Sequence, residues 1–219
     1  MSRTIETYRA RFQDKLKAEK YARRFEESSR KGIDRREQQA VKNIFGSLKN
    51  CQTVLDVPSG AGRFLRSLGH NRCNVIEMDV AREILQHAAK RAAQSKLHAA
   101  FVQGDGSRLP LADNSVDAVF CNRLLHHIVV KDERAIILRE LRRVSRRYVI
   151  VSFFDYGSFG AVRKILKKIK GSKTHYNEQP TLKQFHREAI ACSLRVLEVV
   201  PTGPPWVSQK FFVMEKAWV

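Results

Sequence analysis

Between residues 53 and 154 the chain alternates short apolar runs with longer segments whose apolar positions recur every three or four residues. The runs predict buried strands, and the longer segments predict amphipathic helices, the clearest over residues 82–93 and 133–143. In the second helix we expect an inward apolar face formed by Ile136, Ile137, Leu141 and Val144. Strands that alternate with helices predict a parallel sheet covered by helices on both faces.

Two further apolar runs, residues 194–200 and 210–215, predict strands on either side of the turn-forming segment 201–205. Together with the five earlier runs, they predict an α/β fold with a doubly wound, mostly parallel seven-stranded sheet. The sequence therefore predicts a single main domain over residues 51–219.

The first 50 residues have no strand pattern, and their charges and helix formers predict an N-terminal helical extension. Aromatic and apolar residues recur in it at spacings of four or five. This stripe either packs on the core or forms a lid, with Tyr21 or Phe25 closing over a ligand. The stripe consists of Tyr8, Phe12, Leu16, Tyr21 and Phe25.

The first predicted strand ends in a carboxylate, Asp56, and a glycine-bearing turn follows it. Gly60 and Gly62 adopt positive φ readily, so backbone N–H groups can approach a ligand where a helix begins near Arg63. A fixed carboxylate here disfavours a pyrophosphate and suits an ammonium group. We therefore expect a zwitterionic amino acid joined to a nucleoside rather than a dinucleotide, whose fingerprint also requires a small residue where Leu65 stands.

Polar residues also follow the next three predicted strands. Asp79 lies 23 positions after Asp56, near the spacing at which an acidic side chain meets ribose hydroxyls in a βαβ unit. Asp105, followed by Gly106, can accept a hydrogen bond from an exocyclic amine such as that of adenine. Asn122 ends the fourth strand. Because carboxyl ends of parallel strands meet at one edge of a sheet, these residues predict a ligand crevice there.

These segments resemble the class I S-adenosylmethionine-dependent methyltransferases, in particular the small-molecule subgroup that includes ubiquinone-biosynthesis-type enzymes. The resemblance covers residues 53–154 through the phrases LDVPSGAGRF, VIEMDVAREIL, VQGDGSRLPLADNSVDAVFCNRLLHHI and ELRRVSRRYVIVSF. It implies a Rossmann-like methyltransferase fold whose last strand is antiparallel, with S-adenosylmethionine as the cofactor. The chain departs from the family at Pro58, where glycine is usual, and at residues 145–148, where a Lys-Pro-Gly-Gly turn is common.

The resemblance also implies roles for individual residues. Asp56, Gly60 and Gly62 would hold the methionine end of the cofactor, Asp79 its ribose, and Asp105 with Gly106 its adenine. The full set of expected cofactor contacts is Asp56, Pro58, Gly60, Gly62, Asp79, Val80, Asp105, Gly106 and Asn122.

The implied reaction is an in-line displacement at a sulfonium methyl group. Its leaving group is already activated, so the protein mainly has to align the reactants. A hydroxyl nucleophile benefits from a base, and the ordinary pKa of histidine suits that task near neutral pH. The candidate catalytic residues are His126, His127 and Asn122, of which His126 is the favoured base. Asp155, Tyr156 and His175 are further candidates at the rim of the site.

The net charge is +19, of which the first 50 residues contribute +7. Such a charge attracts anions, so we expect the acceptor to be an anionic small molecule, lipid or glycan, methylated at oxygen. Residues 158–173 predict a basic amphipathic cap helix. This helix packs as an ordinary surface helix, binds the anionic acceptor, or contacts an acidic membrane. The alternatives are an RNA methyltransferase and a non-catalytic basic module that binds RNA or membrane on the same fold.

Apolar runs stay well short of the roughly 20 residues that cross a bilayer, and the N-terminus has no apolar signal segment. We therefore expect a cytoplasmic protein, with peripheral contact to the inner face of a membrane as an alternative. The four cysteines lack Cys-x-x-Cys spacing, so we expect neither disulfides nor a bound metal. They are Cys51, Cys73, Cys121 and Cys192.

Overall fold

A computed structural model describes residues 28–69, 73–154, 180–204 and 207–217. The first half of the fold contains α1 (Ser28–Ser47), β1 (Thr53–Asp56), α2 (Leu65–Leu68), β2 (Asn74–Asp79), α3 (Arg82–Gln94), β3 (Ala99–Gln103) and β4 (Val116–Cys121). A 3-10 turn (Leu125–His127) leads into the second half, with α4 (Lys131–Val144), β5 (Ser145–Phe154), α5 (Leu182–Ala191), β6 (Leu194–Pro201) and β7 (Gln209–Lys216).

The seven strands form one sheet in the order β3-β2-β1-β4-β5-β7-β6. Strands β1 to β5 pair in parallel, and β7 lies antiparallel between β5 and β6. This confirms the predicted doubly wound, mostly parallel sheet and its antiparallel last strand. The strand order reverses between β1 and β4, and in open α/β sheets ligands bind outside the carboxyl ends of the strands at such a switch point.

Helix α4 confirms the predicted amphipathic helix but corrects one of its inward positions. Ile137, Leu141 and Val144 are buried as expected, whereas Ile136 is 45 % exposed. Successive helical residues are turned by about 100°, and the buried stripe is centred on the other side of Ile137. Leu138, which is fully buried, occupies the position in the core that was predicted for Ile136.

Helix α5 is an element that the sequence analysis did not predict. Its start carries a capping box, in which the Thr181 hydroxyl accepts from the Gln184 backbone and the Gln184 side chain accepts from the Thr181 backbone. Phe185 anchors the helix on the sheet by stacking on Phe153, with ring centroids 4.5 Å apart, and by an edge contact with Phe212. The helix thus covers β5 and β7 on one face.

Helix α1 lies within the predicted N-terminal extension and packs directly against the sheet. One face of the helix is buried in a cluster shared with β1, β4 and β7, where Phe45 meets Phe120 edge-on at 6.0 Å. This face consists of Ala40, Val41, Ile44 and Phe45. The helix therefore shares a core with the strands, while the division of the chain at residue 50 stays a prediction.

Several expectations fall on residues outside the described part of the chain. They are the aromatic stripe with its lid role for Tyr21 or Phe25, the basic cap helix over residues 158–173, and the rim candidates Asp155, Tyr156 and His175. Within the described residues, no helix combines the length and the apolar character that crossing a membrane requires.

Candidate active site

The turn after β1 lies against β2 and α3. The Ser59 backbone N–H donates to the Met78 carbonyl at 2.8 Å, and the Val57–Pro58 peptide is cis. Gly60 and Gly62 have φ of +57° and +67°, as their positions in the turn predict. A Cβ at residue 62 would lie 3.1 Å from the Cβ of Ala88, so this glycine also permits close packing of α3.

The helix that follows this turn is short. It begins at Leu65, close to the predicted start near Arg63, and it ends at Leu68 after a single turn. The ligand-facing backbone at this place is therefore the glycine turn itself and not a long helix N-terminus.

Asp79 is held rigidly at the carboxyl end of β2. One of its oxygens accepts from the Gly60 N–H and the other from the Ala81 N–H, both at 3.0 Å. Burial raises the pKa of Asp79 to about 6, and these backbone donors oppose the rise. Near neutral pH the group is therefore a fixed carboxylate that retains lone pairs for additional hydroxyl donors.

Five of the nine predicted cofactor residues line one cavity of about 410 Å³, which includes its open mouth. They are Pro58, Asp79, Val80, Asp105 and Gly106. The remaining walls are mostly apolar and comprise Val57, Gly104, Ser107, Leu124, Ile128 and Ile137. Apolar walls with a few converging carboxylates suit a flat ring joined to a sugar, so the residues present fit an adenosyl group.

Asp105 follows β3, which ends at Gln103. One of its oxygens accepts from both the backbone N–H and the hydroxyl of Ser107, each at 2.8 Å. A Cβ at Gly104 would lie 2.7 Å from the Met78 sulfur. The chain therefore turns here in tight contact with β2, which fixes the carboxylate at the mouth of the cavity.

Asp56 does not line this cavity. It is 1 % exposed and lies opposite Glu77 in the β1–β2 pairing, and Glu77 is itself fully buried. Among the residues that the structure describes, none provides a hydrogen-bond partner for any of the four oxygens of these two carboxyl groups. The sequence analysis did not single out Glu77, because only the register of two strands reveals that it faces Asp56.

The candidate catalytic residues lie beyond β4. Asn122 is 7 % exposed, and its oxygen accepts from the Gln209 side chain at 3.2 Å. His126 is half-buried in the 3-10 turn, with ring centroids 3.9 Å from His127 and 4.5 Å from Phe154. His127 is exposed. Of the two histidines, His126 is therefore the one packed against the end of β5.

A buried ion-pair cluster joins α1 to the loops after β1 and β4. Glu37, which is 1 % exposed, accepts from Arg63 and from Arg123, each at 2.5 Å. Arg63 also pairs with Asp34 at 2.8 Å, and Arg123 also donates to the Gln209 side chain at 2.9 Å. The sequence analysis missed this cluster because Glu37 lies 26 and 86 positions from its two partners.

Among the residues that the structure describes, no group of three or more His, Cys, Asp or Glu side chains could hold a metal ion. The site described so far consists of a cavity at the carboxyl ends of the strands, a glycine turn and a polar cluster at the β4 end.

Residues 55–153 match the family described as a methyltransferase domain. This match confirms the prediction of an S-adenosylmethionine-dependent methyltransferase domain in this part of the chain. The match begins in β1 and ends in β5, so it contains the glycine turn and the whole cavity.

Two curated relatives indicate the kind of methyltransferase that this domain resembles. The chain is 29 % identical over 136 residues to a demethylmenaquinone methyltransferase of Renibacterium salmoninarum, a match covering 61 % of this chain and 54 % of the relative. It is 28 % identical over 122 residues to a malonyl-[acyl-carrier protein] O-methyltransferase of Pectobacterium atrosepticum, covering 55 % and 46 %. The chain thus spans about half the length of the curated relatives it matches.

A solved structure supports the fold over nearly the full chain. The magnesium protoporphyrin IX methyltransferase of Synechocystis PCC 6803, solved with bound SAH, superposes with a TM-score of 0.79 and covers 97 % of this chain and 99 % of its own. Sequence identity is 16 %, so this likeness concerns the fold alone.

Proposed function

We propose that this protein transfers a methyl group from S-adenosylmethionine to an oxygen atom of an anionic small molecule. The observation that carries the proposal is the cavity at the switch point of the sheet, where Asp79, Asp105 and Gly106 converge. Its position agrees with the general binding mode of open α/β sheets. The family match over residues 55–153 supports the reaction type.

In this proposal the cavity holds the adenosyl part of the donor. Asp79 accepts from the ribose hydroxyls, Asp105 accepts from the adenine amine, and Val80 and Pro58 contact the sugar and ring from the walls. Gly60, Gly62 and Asp56 serve the amino-acid end, and Asn122 lies toward the reacting methyl group. When bound, the donor supplies a methyl group on a positively charged sulfur.

The chain's own residues then align the acceptor and accept its proton. We assign the base role to His126, because it is half-buried and packs on Phe154 at the end of β5. His127 is exposed and serves as a weaker candidate. With a hydroxyl acceptor, His126 would take the proton that the acceptor oxygen loses on methylation, and the donor would supply the methyl group.

Calorimetry with S-adenosylmethionine tests the donor site. We expect saturable binding to the unaltered protein and loss of the signal in Asp79→Ala, since that variant removes the acceptor of the ribose hydroxyls. Asp113→Ala is the matched control, because this carboxyl is 70 % exposed and lies on the surface. If the unaltered protein binds no donor, the proposal is wrong and the fold serves a non-catalytic role.

The acceptor class is supported by charge and by the relatives. The net charge of +19 favours anions, and the two curated relatives are named for demethylmenaquinone and for malonyl-[acyl-carrier protein], the second methylated at oxygen. Incubation with methyl-labelled donor should place label on an acidic organic acceptor, in a product that resists acid but not alkali if it is an ester. Label appearing in RNA instead would support the RNA alternative.

The base assignment has its own test once a hydroxyl acceptor is known. We expect His126→Asn to lower kcat by about 10²-fold, which is the usual contribution of a general base, with donor affinity unchanged. His127→Asn serves as the paired control on the neighbouring residue. An equal effect of the two variants would contradict the specific assignment to His126.

A further inference from the structure

The buried carboxyl pair of Asp56 and Glu77 lies at the same edge of the sheet as the cavity, and the reaction proposed above gives Glu77 no role. Asp56 ends β1, and Glu77 stands opposite it in the parallel pairing with β2. Their exposed fractions are 1 % and 0 %, and no hydrogen-bond donor satisfies any of the four oxygens. Two adjacent carboxylates without donors cannot both stay ionised in a dry interior, so the pair must retain a proton.

The groups facing the pair do not remove this requirement. Asp79 on β2 adds a like charge, and the Ser59 hydroxyl faces Glu77 without reaching hydrogen-bond geometry. Arg63 and Arg91 are the cations that act on the pair from the loop after β1 and from α3. The Arg63 guanidinium is directed to Asp34 and Glu37 on α1. Cys121 on β4 is fully buried and lies near Asp56.

Burial is the largest influence on both groups. It raises the pKa of Asp56 well above its ordinary value, and it raises the pKa of Glu77 to about 8. Like charge adds to the rise, because Glu77 and Asp79 raise the pKa of Asp56 and Asp79 raises the pKa of Glu77. These directions agree with the protonated state that the missing hydrogen bonds require.

The pair is connected to the glycine turn through β2. The Ser59 N–H bonds to Met78, the residue after Glu77, and the Gly60 N–H bonds to Asp79. Side chains alternate along a strand, so Glu77 and Asp79 lie on the same face of β2. A cation received by this turn would therefore lie close to the pair. An opposite charge within a few ångströms favours the ionised form of a carboxyl group.

We propose that Glu77 belongs to the donor site: it shares a proton with Asp56 in the donor-free protein, and the pair releases that proton to solvent when the positively charged donor binds. The proposal rests on the proposed function, because it requires a cationic donor at the glycine turn. It assigns a role to a residue that touches the donor only through Asp56 and the turn, so Glu77 is a positioning residue.

The number of protons released is measured by titrating the protein with S-adenosylmethionine at pH 7 in buffers of different ionisation enthalpy. The slope of the apparent binding enthalpy against buffer ionisation enthalpy gives that number. At pH 7 Asp79, with its pKa of about 6, is mostly ionised already. The donor's α-amino group is still mostly charged. We expect between about 0.5 and 1 proton released per donor bound to the unaltered protein.

Glu77→Gln should bind the donor with a clearly smaller slope, since the amide carries no proton and Asp56 then loses the neighbouring charge that raises its pKa. The matched control is Glu198→Gln, the same chemical change at an exposed position of β6, which should keep the slope of the unaltered protein. A slope of zero in the unaltered protein overturns the inference, whether or not the Glu77 variant folds. A slope that Glu77→Gln leaves unchanged also overturns it.

These failures differ from failure of the proposed function. If the unaltered protein binds no donor in any buffer, the donor site itself is wrong. If it binds the donor without releasing protons, the donor site stands and only the role of Glu77 is rejected.

Discussion

Glu37 and Glu77 are both buried, but their surroundings are opposite. Glu37 receives hydrogen bonds from two guanidinium groups, those of Arg63 and Arg123. Glu77 faces the carboxyl group of Asp56, and neither of its oxygens has a hydrogen-bond partner. A buried carboxylate with cations around it holds elements together, whereas one without them keeps its proton and can still respond to a ligand.

The largest loss of stability is expected when a buried glutamate loses its cationic partner. Arg134 on α4 makes two hydrogen bonds to Glu188 on α5, at 2.9 and 2.6 Å, and also donates to the carbonyls of residues 128 and 129. Arg134→Met should cost about 3–5 kcal/mol in the free energy of unfolding, because it leaves a buried charge uncompensated. Chemical denaturation at pH 7 measures this loss.

The double variant Arg134→Met/Glu188→Met is the control for that experiment. Replacing both partners by apolar side chains of similar size is often close to neutral, so most of the lost stability should return. If the double variant is as unstable as the single one, the cost comes from the packing of Arg134 or its bonds to the carbonyls of residues 128 and 129, and not from the unpaired carboxyl group.

The second prediction concerns Glu37 itself. Glu37→Gln should destabilise the protein by about 2–3 kcal/mol, less than the first variant, because Arg63 keeps Asp34 and Arg123 keeps Gln209 as partners. The free energy of unfolding measures it, with the exposed Glu198→Gln as control. A loss no larger than that of the control would mean that the cluster does not hold α1 to the two loops.

The third prediction is a gain in the free energy of unfolding, and its size depends on pH. The pKa of Glu77 is raised from 4.5 to about 8, so the folded state binds more protons than the unfolded state between these values. Its stability therefore falls as pH rises through this range. Glu77→Gln should be about 1–2 kcal/mol more stable than the unaltered protein at pH 8 and nearly equal to it at pH 4. Denaturation curves at both pH values decide, and a loss of stability at pH 8 would contradict the prediction.

The smallest effect is expected where a carboxyl group pairs with an exposed cation. Glu215 on β7 accepts from Arg195, whose side chain is 68 % exposed. Arg195→Ala should change the free energy of unfolding by less than about 0.5 kcal/mol, because solvent screens the pair and Arg147 remains as a second partner of Glu215. A loss above 1 kcal/mol would mean that burial is not what separates strong from weak pairs in this protein.

The polar residues at the ends of the strands could be predicted because they follow directly from local patterns. Each of Asp79, Asp105 and Asn122 comes after an apolar run, and the ends of parallel strands necessarily meet at one edge. The turn after β1 could also be predicted, because the backbone there requires positive φ at Gly60 and Gly62.

The partners of the buried glutamates Glu37 and Glu77 could not be predicted, because they depend on contacts between segments that are far apart in sequence. Glu77 becomes a partner of Asp56 only through strand register, and Glu37 reaches Arg123 only once α1 has packed on the sheet. Ile136 was assigned to the core because neighbouring helical positions look alike in sequence, and helix packing alone decides which is covered. The capping residues Thr181 and Gln184 could have indicated the start of helix α5. They follow a segment in which the alternation of strands and helices is interrupted.

The family match covers residues 55–153, but residues that support the site lie outside it on both sides. Glu37 stands 18 positions before its first residue, and Gln209, which donates to Asn122, stands 56 positions after its last. Removing the residues outside the matched stretch would therefore remove both Glu37 and Gln209, whose side chains contact Arg123 and Asn122 after β4. Any shortened version for crystallisation or screening needs to keep α1 and the terminal hairpin of β6 and β7.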